Sequence, residues 1–220
     1  MKLKKIASLM LAGIMAVSML AACGSTPVEE DPSSSETPTT GVSATFANFL
    51  TGKRVEFKDN ATYAGYLADG LKEADPKSAN MSAITSVTAV ADDWNVFKKV
   101  EPKFDKNEIN YGDRDDKVTI NNFASNNVVC QADDELFIAM YAAPGSMKQD
   151  VVLEAVAADL DYELGDKCLV NYNDVTSGSD TKRYNYDYTG SVSMQKVEDG
   201  SVSAWYVLVT LYIDATEVKK

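Results

Sequence analysis

An α+β fold is predicted, with an antiparallel sheet, about two helices packed on it and a C-terminal β-hairpin. Three stretches predict it. From Tyr184 to Lys196 the residues alternate, with Tyr184, Tyr186, Tyr188, Gly190, Val192 and Met194 on one side and Asn185, Asp187, Thr189, Ser191, Ser193 and Gln195 on the other. A period of two belongs to a strand with one buried face. Asp199-Gly200 follows as a hairpin turn. Upstream, Leu153, Val156, Ala157, Leu160 and Leu164 share one face of a helix. Strands and helices that do not alternate regularly give α+β rather than a parallel α/β sheet.

Residues 1–22 read as an export signal. Lys2, Lys4 and Lys5 precede an apolar run from Ile6 to Leu20, and small residues close it. A membrane-spanning helix needs about 20 apolar residues. Here the run from Ile6 to Ala22 is 17 residues and is interrupted by Ser8, Gly13 and Ser18. The closing tetrapeptide Leu20-Ala21-Ala22-Cys23 resembles the lipobox of bacterial lipoproteins. The resemblance covers this segment alone. It implies a diacylglycerol thioether on Cys23, cleavage just before it, and a protein held to the cell membrane facing outside the cytoplasm. Residues 23–41 are rich in Ser, Thr, Pro and Glu and bury too little to offset ordering entropy, so a disordered tether is expected. Such a tether reaches about 25 Å r.m.s.. Residues 42–220 then form a single exported domain.

Within that domain, Phe46, Phe49 and Leu50 are the first large apolar residues. Thr51-Gly52-Lys53 suits a turn and 54–57 a short strand. Asp59 or Asn60 can cap a helix running to about Ala74, with Tyr63, Tyr66, Leu67 and Leu71 at helical spacing, and Asp75-Pro76 stops it. Strands are expected over 84–90, 118–123, 128–130 and 135–141. Ser146 and Gln149 have capping-box spacing for the second helix, and Gly165 stands where a C-terminal cap belongs. With Asp199-Gly200 at the turn, Met194 faces Trp205, Val192 faces Val207, Gly190 faces Val209, Tyr188 faces Leu211 and Tyr186 faces Ile213. A slip of one residue would bring Ala204, Tyr206, Leu208 and Thr210 to that face instead. The second hairpin strand also carries Tyr206, Leu208 and Tyr212 on its other side, and a strand apolar on both faces is central or covered.

Charge narrows the partners. The signal holds three of the 21 basic residues and none of the 33 acidic ones, so a net charge of −12 becomes −15 from Cys23 onward. A domain this acidic repels phosphate backbones and anionic headgroups, so no nucleic acid is expected, and the membrane is reached through the lipid on Cys23. Histidine is absent. That removes Ser-His-Asp and Cys-His hydrolysis and His-ligated zinc. No catalytic residue, metal or cofactor is assigned.

Two sets of side chains have the composition for chemistry. The acidic groups Asp92-Asp93, Asp113/Asp115/Asp116 and Asp133-Asp134-Glu135 lack the glycine and closing Glu of a calcium loop and read as solvated turns. Tyr184, Tyr186, Tyr188 and Trp205 fall on the core side of the hairpin, which leaves Tyr206 and Tyr212 as the better candidates for exposure. With Cys23 lipidated, Cys130 and Cys168 remain. A disulfide between them would close a 39-residue loop, which the chain-entropy model values at about 4 kcal/mol. Two buried thiols are the other reading. The expected activity is that of a non-enzymatic binding module for a protein, peptide or glycan. The alternative is a small carboxylate-dependent hydrolase acting on envelope glycans.

Overall fold

The alternating stretch lies in the longest strand of a six-stranded sheet. The structure, a computed structural model, describes residues 41–104, 120, 134–165, 168–177 and 179–219. In chain order the elements are α1 (Val42–Phe49), β1 (Val55–Phe57), α2 (Ala61–Ala74), α3 (Ser78–Ser82), β2 (Thr88–Ala89) and α4 (Asn95–Val100), which runs into a 3-10 turn at Glu101–Lys103. Then come β3 (Glu135–Pro144), α5 (Gln149–Leu160), β4 (Tyr172–Ser177), β5 (Asp180–Asp199) and β6 (Val202–Glu217). The strand order is β1-β5-β6-β3-β2, with β4 also paired to β5. Pairing is antiparallel except between β1 and β5, which run parallel from Val55↔Tyr188 to Phe57↔Gly190.

The fold is therefore mixed α and β with a mostly antiparallel sheet, and the described residues form five α-helices rather than about two. Only α2 and α5 are long enough for a period of 3.6 to register. Helix α1 is a run of indifferent helix formers, Val-Ser-Ala-Thr-Phe-Ala-Asn-Phe. Val42 and Phe46, one turn apart, are both essentially inaccessible, so tertiary packing and not propensity makes this segment helical. Helix α2 starts as expected. Asn60 accepts from the backbone N–H groups of Thr62 (3.0 Å) and Tyr63 (3.2 Å).

Helices cover both faces of the sheet. On one face Val42 and Phe46 of α1 and Val152, Leu153, Val156, Ala157 and Leu160 of α5 join Tyr186, Tyr188, Val207, Val209 and Leu211 in one core. On the other, Leu67 and Leu71 of α2, Met81 of α3 and Val96, Phe97 and Val100 of α4 pack on Leu136, Ile138, Met140, Tyr206 and Leu208. Strands β3 and β6 are apolar on both sides because both sides are covered. That coverage overturns one expectation: Tyr206 is 1% exposed, and Tyr212 is half-buried.

The hairpin forms with a shifted register. Asp199 pairs with Val202, so Gly200-Ser201 is the turn, and Met194 faces Val207, Val192 faces Val209 and Tyr188 faces Ile213. A positive φ of 63° at Gly200, without one at Ser201, is the pattern of a II′ turn. The shift is two residues on β6, so every side chain keeps its face. The gap opposite Gly190 is filled from β1. An added Cβ there would lie 2.4 Å from Cε1 of Phe57, whose ring meets Phe46 edge-on at 5.1 Å.

Helix α5 has Lys148 at its N-cap with no side-chain cap bond, so the Ser146–Gln149 capping box does not form. Trp205 instead donates its indole N–H to the Met147 carbonyl (3.0 Å), fixing the entry. The helix ends at Leu160 and a turn continues to Gly165, which packs so tightly on the Asp161 carbonyl that a Cβ would lie 2.7 Å from it. Of the expected strand over 84–90 only Thr88–Ala89 pairs. The strands expected over 118–123 (Ile120 apart) and 128–130 lie outside the described residues, as do Cys23, Cys130 and the acidic group 113–116. Cys168 is described, half-buried against the core under α5.

Candidate functional site

A cleft of about 360 Å³ opens on the face covered by α2, α3 and α4. Its geometry follows from how α2 ends. Asp75 turns into the left-handed region (φ 47°) while its N–H still reaches the Leu71 carbonyl (3.0 Å), and Pro76 cannot extend the helix. The chain is thrown sideways into α3. That short helix has no cap of its own at Lys77. The carboxylate of Asp199, at the end of β5, serves instead. It accepts from the Ser78 backbone N–H (2.8 Å) and hydroxyl (2.6 Å), and the Asp199 carbonyl accepts from the same hydroxyl (2.9 Å). These bonds hold the Asp199 carboxyl below the usual aspartate range. Lys77 pairs with Asp75 at the rim, and that bond raises the lysine above its ordinary value.

Helix α4 closes the third side. Asn95 donates its side-chain amide to the Ala74 carbonyl (3.0 Å), tying the start of α4 to the last turn of α2. Trp94, just before, is half-exposed at the mouth. Tyr206 of β6 forms the floor, and burial raises its phenol. The walls are Ala74 and Pro76 from α2's end, Ala79, Asn80, Ala83 and Ile84 from α3 and its exit, and Val96 from α4. Apolar walls with one half-exposed aromatic ring and the Asn80 amide resemble the lining of a small-molecule site. The volume is at the small end of the roughly 300–1,000 Å³ such sites occupy. It suits one sugar ring or one amino-acid side chain. Among the described residues, Asp75 is the only charged side chain in the lining.

The acidic residues gather elsewhere. Asp187 and Asp214 face one another across β5 and β6. Beside them Asp134 accepts from the Tyr212 hydroxyl (3.0 Å) and the Ala215 N–H (3.0 Å). Partial burial, then the charges of Asp134 and Asp187, push the Asp214 carboxyl above its usual range, against a lowering bond from Thr216. Burial first, and then Asp134, drive the Tyr212 phenol far upward. Asp214 is eight residues along β6 from Tyr206, so roughly 26 Å of strand separates this cluster from the cleft. Asp92 and Asp93 sit exposed in the turn before Trp94, as expected; Glu135, expected in a solvated turn, instead begins β3 and is buried, while Asp133 lies outside the described residues. No group of three or more metal-ligating side chains occurs among the described residues.

Sequence reasoning singled out Tyr206 for its ring but placed it at the surface, and missed Trp94, Asn80 and Asn95 as site residues. The available signal was a tryptophan set directly before a short helix and after the Asp92-Asp93 turn. Comparison with protein-family models, curated proteins and solved structures returns no match.

Proposed function

We propose that this chain is a membrane-anchored extracytoplasmic binding module, held through a lipid on Cys23, whose cleft takes a small neutral ligand such as a sugar ring or the side chain of a peptide. The observation that carries the reading is the cleft itself, with the half-exposed ring of Trp94 at its mouth and apolar walls over the buried Tyr206. Aromatic faces bind apolar ring surfaces at little entropic cost. Asp75 in the lining disfavours an anion. The lipobox-like Leu20-Ala21-Ala22-Cys23 supports the anchor.

The chain has two tryptophans, and they report on opposite faces. Trp94 borders the cleft, while Trp205 packs against the core under α5. Titration of the full chain with neutral saccharides and short peptides should therefore change its fluorescence. Trp94→Phe should remove the change, and Trp205→Phe should leave it. A ligand that binds Trp94→Ala as tightly as the parent would end the assignment of the cleft. For the anchor, mass spectrometry of the native mature protein should find lipid on Cys23 as its first residue, and Cys23→Ala should release the protein or leave it unprocessed.

A second reading has its own observation. Cross-strand neighbours lie about 4.5–5.5 Å apart at Cβ, and Asp214, the carboxyl with the raised pKa, faces Asp187. Glycosidases work through two carboxyl groups flanking the bond, of which the acid has a raised pKa. Turnover of envelope glycan by the parent, lost in both Asp187→Asn and Asp214→Asn, would favour this hydrolase over a binding module. Binding without turnover would exclude it.

A further inference from the structure

Helix α5 is apolar on two opposite sides. Its inner side, Val152, Leu153, Val156, Ala157 and Leu160, is buried against the sheet. Its outer side carries Val151, Ala155 and Ala158, and the turn that continues the helix adds Tyr162. At 3.6 residues per turn these four fall within about 60° of one another, directly opposite the core. Val151, Ala158 and Tyr162 are exposed and Ala155 is half-buried. Val151 is 46% exposed and Tyr162 59%. Two bonds from Thr51 to Asp161 (both 2.6 Å) bring the end of α1, with Phe49 36% exposed, to the same end of the helix.

Carboxylates border this stripe on both sides. The same helical geometry puts Asp150, Glu154 and Asp161 along one edge, Asp161 already bonded to Thr51, and Asp159 and Glu163 along the other, where Asp159 also accepts from the Tyr141 hydroxyl (2.6 Å). Between 148 and 165 the only cation is Lys148. An amphipathic helix needs one apolar side to fold and one polar side to stay in solution. A second apolar stripe edged by acid is a surface whose complement is an apolar seam edged by base.

We infer that the outer face of α5 docks a cationic amphipathic helix of a partner protein. Charge decides among occupants. A second copy of this chain would set the acidic edges, Asp150 and Glu154 foremost, against their own copies, and like-charge contacts suppress wrong pairings. An anionic membrane is repelled in the same way. A basic helix gains on both edges while its seam covers Val151, Ala155, Ala158 and Tyr162. The stripe spans about three turns, some 16 Å. An interface that short belongs to the small, transient class, below about 1,200 Å² in total. The face lies across the sheet from the cleft, so ligand and partner would bind without competing.

The test uses the full chain in non-ionic detergent and a fluorescein-labelled helical peptide of about 18 residues, leucine along one seam and lysine beside it, read by anisotropy. Binding is expected at a Kd on the order of 10–100 μM at low salt, weakening as salt screens the edges. The paired change Val151→Gln/Tyr162→Gln, which alters no charge, should weaken it about fivefold or more. Asp150→Asn/Glu154→Gln should do likewise, while Asp92→Asn/Asp93→Asn on the opposite face should change it less than about twofold. All six positions are exposed or edge residues, and unchanged circular dichroism confirms folding. The proposal is overturned if the peptide fails to bind at about 1 mM, if the stripe pair binds like the parent, or if the distant acidic pair weakens binding as much as the edge pair. It is also overturned if sedimentation shows a dimer that the stripe pair dissolves, which would make a second copy the occupant.

Discussion

At Gly190 a glycine in a strand stands for a contact rather than for flexibility. Strand glycines are unfavourable by about 0.5–1 kcal/mol relative to alanine, so in an open site Gly→Ala would stabilise. Here the new Cβ would meet Cε1, Cδ1 and Cζ of Phe57 at 2.4, 2.7 and 2.8 Å. The ring is also held by Phe46, which meets it edge-on at 5.1 Å, so room made for the Cβ disturbs that contact. Overpacking of this kind costs about 1–3 kcal/mol, which outweighs the propensity gain. Gly190→Ala is therefore expected to lower stability in urea denaturation by roughly 1–2 kcal/mol. The double variant Phe57→Leu/Gly190→Ala should lose less than the sum of its parts, since the smaller side chain leaves room. Strict additivity would mean that Phe57 is not what the glycine accommodates.

Among the elements, the hairpin marks how far sequence pattern reaches. Alternation identifies which face of β5 carries the apolar core, but not that the other face is covered as well, where Ser191, Ser193 and Gln195 are each 4% exposed; and a shift of two residues on the partner strand leaves every face unchanged, so alternation cannot choose between adjacent turns. The choice falls to Gly200-Ser201, and Asp199 is free to cap α3. Nothing near position 199 announces a partner at position 78. The same limit hides the cleft. Asn80, Trp94 and Asn95 sit on or beside α3 and α4, helices of five and six residues, too short for a period to show. By contrast α2, with Asn60 before it and Asp75-Pro76 after it, was legible from end to end. The Asp199 cap yields a prediction for α3. In Asp199→Ala, backbone amides over 78–83 should exchange with solvent about tenfold faster or more, while those of β3 and β6 keep their protection. Ser78→Ala, which retains the backbone bond to the carboxylate, should have a smaller effect. Faster exchange spread evenly over the sheet would show that the contact supports the whole fold and not the wall of the cleft.

For the molecule as a whole, acidity is the dominant electrostatic fact, and its groups respond to pH in opposite senses. Asp161 is held low by bonds from the side chain and backbone of Thr51, as Asp199 is by Ser78. Such groups contribute stability that is present above the unfolded aspartate pKa, about 3.9, and is lost as pH falls through the lower folded value. Asp214 is the reverse case. Its folded pKa is raised, by burial first and then by Asp134 and Asp187. Its contribution is fully present below about pH 3.9 and is lost as pH rises through the folded value. The groups facing it are Asp134, Asp187 and the Tyr212 hydroxyl, with Thr216 alone opposing the shift. Asparagine mimics the neutral form, so Asp214→Asn should match the parent below the unfolded value of about 3.9 and become the more stable protein as pH rises through the raised folded value. In Asp161→Asn the sign inverts. That variant should be the less stable one at neutral pH, and the difference should close only on acidification. Salt distinguishes charge from burial in the Asp214 case. At 1 M the screening length is about 3 Å, so the part of the difference due to Asp134 and Asp187 should shrink while the part due to burial stays. Urea midpoints for parent and Asp214→Asn from pH 3.5 to 7.5, at low and high salt, measure both parts. A difference that does not vary with pH would show that position 214 acts through side-chain packing and not through its proton.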